Sequence, residues 1–168
     1  METATAVQNE KTENVVLCDV PRSGNDVYRI SRNVYKGERY VDIRIFFRSK
    51  ADAALLVPTT KGVCFPEKIR EDIIAGLILA RKAPEVECPK GEQFRSVKIL
   101  EVPLSETEQF RISKGAGSKN AYVDIRKFFQ AQKDGAFVPS KTKGVSILGA
   151  SLDEVITGLM RTEPDHAA

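Results

Sequence analysis

A stretch of this chain returns 82 positions later in nearly the same letters, and that recurrence constrains the fold more than any single motif. Tyr40-Val41-Asp42-Ile43-Arg44 reappears as Tyr122-Val123-Asp124-Ile125-Arg126. The same interval carries Phe46-Phe47 onto Phe128-Phe129 and Lys61-Gly62-Val63 onto Lys143-Gly144-Val145. It also carries Arg29-Ile30-Ser31 onto Arg111-Ile112-Ser113, and Val20-Pro21 onto Val102-Pro103. Five separated blocks in one register exceed what chance gives and mark a tandem duplication. A duplicated unit builds a pseudo-twofold surface on which each functional residue is present twice.

Each repeat has about 65 residues, a size whose core is marginal alone, so two halves sharing one core are expected. The expected division is a disordered tail over 1–14, a first repeat over 15–81, a linker over 82–96, a second repeat over 97–162 and a tail over 163–168. With 42% hydrophobic and 29% charged residues the composition is that of an ordinary globular protein. A net charge of +3 permits a nucleic-acid partner without demanding one. Cys18, Cys64 and Cys88 are odd in number, and the first two fall on Leu100 and Ser146 in the other repeat. That argues against a disulfide framework or zinc site and for a reducing compartment, nuclear or cytoplasmic. No apolar run approaches the roughly 18 residues needed to cross a bilayer, and the polar start lacks a signal-peptide centre, so no membrane partner and no secretion are expected.

Val15 to Val20 and Val97 to Val102 read as first strands, each stopped by a proline, and Val27 to Arg32 with Gln109 to Lys114 as second strands. In the third strand a period of two places Val41, Ile43 and Ile45 on one face and Tyr40, Asp42, Arg44 and Phe46 on the other. A fourth strand is expected from about Ala53 to Val57, ending near Pro58, with Ala136 to Val138 and Pro139 as its copy. The Lys-Gly-Val block then starts a further short strand. Pro66 suits a helix start, and Ile69, Ile73, Ile74 and Leu77 form an apolar stripe. In the second repeat Ser151-Leu152-Asp153-Glu154 reads as a capping box ahead of Val155, Ile156 and Leu159. The fold class is α+β: two repeats, each a curved antiparallel four-stranded sheet followed by one helix that covers it, packed as a pseudo-twofold unit.

An enzyme is not expected. The only histidine, His166, lies near the end of the chain, which removes histidine-based triads and metal clusters. Gly115-Ala116-Gly117-Ser118-Lys119 lacks the Gly-Lys-Ser/Thr ending of a phosphate loop and occupies the place of a hairpin turn. No cofactor and no metal follow. Asp42 and Asp124 each have an arginine two positions on, so a surface ion pair is one reading of Arg44 and Arg126. The other is phosphate contact: cations interleaved with Phe46-Phe47 and Phe128-Phe129 suit a single strand whose bases stack on rings. Lys61-Gly62 and Lys143-Gly144 read either as a turn with an exposed lysine or as a close backbone approach to phosphate.

The order Tyr35-Lys36-Gly37, Tyr40-Val41-Asp42-Ile43-Arg44, Phe46-Phe47, a proline-containing turn, Lys61-Gly62-Val63 and a helix resembles the positive cofactor four family of transcriptional coactivators. Both repeats match over about 50 residues. The resemblance implies a four-stranded sheet plus helix that pairs to bind single-stranded DNA. It places nucleic-acid contacts on Lys36, Arg44, Phe47, Lys61 and Gly62, and on Lys119, Arg126, Phe129, Lys143 and Gly144. Three features depart from the family: Phe47 and Phe129 stand where a tryptophan is usual, Glu38 stands where a lysine is common, and the serine-rich regulatory tail is absent. The single-chain duplication is also similar to Whirly proteins, kinetoplastid guide-RNA-binding proteins and Pur-type repeats.

The expectation is a largely sequence-tolerant binder of single-stranded nucleic acid, DNA favoured, with RNA open as the alternative. The rival is a protein-interaction subunit that has kept the fold and lost the ligand. A homo-oligomer and a transcription-machinery partner also stay open. The two main readings separate on whether Arg44, Arg126, Lys61 and Lys143 converge on one groove.

Overall fold

The structure, a computed structural model, describes residues 13–132 and 134–161. Four strands come first: β1 (Glu13–Ser23), β2 (Asp26–Tyr35), β3 (Glu38–Arg48) and β4 (Leu56–Pro66). A short 3-10 turn leads from β4 into α1 (Arg70–Lys82). The order repeats as β5 (Phe94–Pro103), β6 (Glu108–Gly117), β7 (Ala121–Gln130) and β8 (Phe137–Leu148), a second 3-10 turn and α2 (Leu152–Leu159). The eight strands form one sheet in the order β1-β2-β3-β4-β8-β7-β6-β5. Each set of four is antiparallel, and β4 meets β8 in parallel at a single pair, Gly62 with Lys143.

The alternation expected for β3 holds. Val41, Ile43 and Ile45 are buried, and so are Val123 and Ile125 on β7. The expected fourth strand is corrected. Residues 49–55 form a loop, and β4 runs without a break through Pro58 and the Lys61-Gly62-Val63 block. Pro58 lies opposite Phe46 where the register shifts, a place in a ladder that tolerates a missing N–H. Pro139 does the same opposite Phe128. β1 likewise runs past Pro21 to Ser23, whereas β5 ends at Pro103 as expected; β5 begins at Phe94, inside the expected linker. Gly115, Ala116 and Gly117 belong to β6, and only residues 118–120 turn, which corrects the expected glycine hairpin. The terminal stretches 1–12 and 162–168, with His166, lie outside the described residues.

Each helix covers the strands of the other half. Gly76 on α1 faces Ile112 on β6 and Leu100 on β5. Gly158 on α2 faces Ile30 on β2 and Cys18 on β1. The members of these two sets correspond one for one at the 82-residue interval. Helix α1 buries Ile73, Leu77 and Ala80, and α2 buries Val155, Ile156 and Leu159. At about 1.5–3 kcal/mol for each fully buried Leu, Ile or Val, neither half keeps this cover alone. Lys114 on β6 is buried, and its Nζ donates to the Ala83 carbonyl at 2.7 Å and pairs with Glu85 at 3.1 Å. That satisfies the C-terminus of α1 and anchors the connector to β5.

The seam is closed by two aromatic residues. Tyr28 of β2 is fully buried; its hydroxyl donates to the Ser146 carbonyl and accepts from the Leu148 N–H, both at 2.9 Å. Phe110 of β6 meets Phe65 of β4 edge to face, with centroids 6.1 Å apart. The expected capping box at Ser151 does not form, because its hydroxyl donates to the Pro21 carbonyl at 2.8 Å and ties the turn to β1.

Candidate nucleic-acid interface

On the helix-free face of the sheet each third-strand arginine lies over a glycine. Arg44 pairs across the ladder with Gly62, and Arg126 with Gly144. A Cβ on Gly62 would come 2.7 Å from Arg44 Cζ, and one on Gly144 2.5 Å from Arg126 Cζ. These glycines therefore make room for a guanidinium of the chain itself. That corrects the turn reading of the Lys-Gly block, since each glycine lies within a strand.

The guanidinium is held on two sides. Arg44 donates to Asp42 at 3.1 and 3.2 Å and to the Thr59 carbonyl at 3.0 Å. Arg126 donates to Asp124 at 3.2 Å and to the Ser140 carbonyl at 2.8 Å. The ion-pair reading of these arginines is thus present in both halves. Beside them, Arg29 pairs with Asp19 at 2.8 Å and stands 4.6 Å from the Phe46 ring centre. Arg111 pairs with Glu101 at 3.1 Å and stands 4.0 Å from the Phe128 ring centre. The first phenylalanine of each pair is therefore already occupied by a cation.

The second phenylalanine is open. Strand alternation puts Phe47 on the face of Ile45 but beyond the core, and it is 41% exposed; Phe129 is 39% exposed. Phe129 and Lys143 line one hollow of about 310 Å3 with Lys127, Glu108 and Ser140. Lys127 is paired with Glu108 at 3.1 Å. Lys61, Arg126 and Gly144 line another cleft, of about 380 Å3, at the seam of the halves. Of the four cations posed as the test of convergence, Lys61 and Arg126 share that cleft, Lys143 faces the separate hollow beside Phe129, and Arg44 stays with Asp42.

Lys36 and Lys119 lie elsewhere. Lys36 and Gly37, at φ +51° and +76°, make the tight β2–β3 turn, with Lys36 Nζ 5.5 Å from the Tyr35 ring centre. From Lys36 to Phe47 the strand extends about 35 Å, so the turn lysines and the open phenylalanines stand at opposite ends of the sheet.

Reading the sequence missed Arg22 and Lys141, which also line the seam cleft. The signal was there for Lys141. The second repeat spells Pro139-Ser140-Lys141-Thr142-Lys143 where the first has Pro58-Thr59-Thr60-Lys61, one residue fewer. Thr59 and Ser140 both give their carbonyl to the local arginine, which identifies the extra residue as falling after Ser140. Cys64 lies on the same face. Its thiol is pushed up to about 11, by desolvation first and the Asp42 carboxylate next, so it is protonated at neutral pH. Burial, followed by Asp124, also raises the Tyr122 hydroxyl.

Comparison with known proteins gives two findings. Residues 25–74, from the turn before β2 into α1, match the family model described as Transcriptional Coactivator p15 (PC4). Among solved structures the chain is similar to BPSL1147, a PC4 homolog from Burkholderia pseudomallei. The two are 31% identical over 48% of this chain and 100% of that one, with a TM-score of 0.37. No curated protein matches the chain significantly.

Proposed function

The chain belongs to the PC4 family, and from that premise we propose that it binds single-stranded nucleic acid, DNA in preference to RNA, with little regard for sequence. The observation that carries the reading is the open ring of Phe129 beside Lys143 in one hollow, with Phe47 as its open counterpart in the first half. A base stacks on the ring while the ammonium meets its phosphate, worth about 1–3 kcal/mol per stacked base. Lys61 and Lys141 add charge at the seam. Arg44 and Arg126 act from within their aspartate pairs, each with N–H groups beyond those its partners take. The corresponding contacts of the two halves support a pseudo-twofold arrangement, an intramolecular version of two paired domains. The family description extends the proposal to a role in transcription regulation.

One observation favours a second reading, a protein-interaction subunit: the pairing of both arginines with acids, which lowers the positive potential of the helix-free face. The two readings separate in fluorescence anisotropy with a labelled 20-mer as single-stranded DNA, duplex DNA and RNA. The proposal expects preference for the single strands and an affinity that falls steeply with salt. Absence of binding at low salt would leave the second reading standing.

A further inference from the structure

The two halves differ on the helix-free face around β5 and β6, and the difference builds a site. Over β5 to β8 that face forms a trough of about 390 Å3 whose ring-bearing residues are Phe94, Tyr122 and Phe128, with Ser96, Ser113 and Arg126 among its polar ones. Phe94 is 62% exposed, the most open large apolar side chain among the described residues. Tyr122 lies down on β6 because residue 115 has no side chain; a Cβ there would come 2.7 Å from Tyr122 Cζ. In the first half Asn33 takes the place of Gly115, and the Tyr40 hydroxyl donates instead to Glu38 at 3.0 Å. The residue 82 positions before Phe94 is Thr12, so this ring is present once.

The trough meets the seam cleft, since Arg126 and Ser146 line both. On the far side of Arg126 stand Lys61 and Lys141, the latter supplied by the extra residue of the second repeat. Rings on one side and cations on the other, with hydroxyls and the Arg126–Asp124 ion pair between, match one ligand chemistry: an aromatic base carrying a phosphate. Each hollow lies within the range of small-ligand pockets, about 300–1,000 Å3.

We propose that this one-sided site on the second half holds a single unstacked nucleotide of a bound strand, its base against Phe94 and Tyr122 and its phosphate beside Lys61 and Lys141. The inference rests on the single-strand reading above and adds a second kind of contact, separate from Phe47 and Phe129. It also makes the bound strand asymmetric on a repeated scaffold.

The chain contains no tryptophan, so Phe94→Trp introduces a lone reporter at the trough. Titration of that variant with a 20-mer of thymidylate should quench its fluorescence in step with anisotropy. Phe94→Ala should weaken oligonucleotide binding by about 5- to 140-fold with native circular dichroism. Lys141→Ala should lower the slope of log affinity against log salt by about 0.7. Strand binding by anisotropy with an unquenched tryptophan, or an unchanged affinity in Phe94→Ala, would overturn the site and leave the general reading intact. Loss of all binding in the unmodified chain would overturn both.

Discussion

Gly158 of α2 stands directly against Ile30 of β2: a Cβ at 158 would come 2.7 Å from Ile30 Cδ1 and 2.5 Å from Cys18 Sγ. Gly76 of α1 stands in the same relation to Ile112 and Leu100. The two halves are thus locked by their helices, each glycine letting a helix settle onto strands it does not follow in the chain. Gly158→Val forces the fully buried Ile30 to move and should destabilise the protein by about 1–3 kcal/mol. Chemical denaturation monitored by circular dichroism reads this directly. An unchanged midpoint would mean that the helix seats otherwise.

Tyr28 makes a second test of the seam. Its hydroxyl serves the Ser146 carbonyl and the Leu148 N–H on a strand of the other half. The equivalent residue of the second repeat is Phe110, so the ring alone is acceptable in this architecture. Tyr28→Phe should therefore keep the fold but leave two backbone groups unsatisfied, at about 1–3 kcal/mol. Faster hydrogen exchange at the Leu148 amide, with little change in β6, is the local signature.

The glycine beneath each arginine yields a third. Gly144→Ala places a methyl group where the Arg126 guanidinium lies and should push it off Asp124 and the Ser140 carbonyl. The cost should be about 1–3 kcal/mol, measured by denaturation, and the double variant with Arg126→Ala should recover part of it. If both variants lose the same stability independently, the glycine does not serve the arginine.

Much of this was legible in the letters. The repeat gave the number of halves, and the strict alternation of β3 fixed which of Val41, Ile43 and Ile45 turn inward. The stripe at Ile69, Ile73 and Leu77 marked the helix face. Periodicity reports which face is buried but not what buries it, so the exchange of helices between halves had no signal. Pro58 read as a strand stop because the register shift that excuses it depends on β3, not on its own neighbours. Ser151 had the spacing of a cap, but a partner from a distant strand, Pro21, took its hydroxyl. At the site, the chain's letters showed cations beside rings without showing that Arg29 and Arg111 already occupy Phe46 and Phe128. Only the second ring of each pair is left open.

That last distinction is where binding should be tested first. In anisotropy titrations with labelled single-stranded 20-mer DNA, the unmodified chain should bind. Phe47→Ala and Phe129→Ala together should weaken it more than either alone, by about 1–3 kcal/mol for each stacked base lost. Native circular dichroism is expected throughout, since both rings lie beyond the core. An affinity unchanged in the folded double variant would contradict the account.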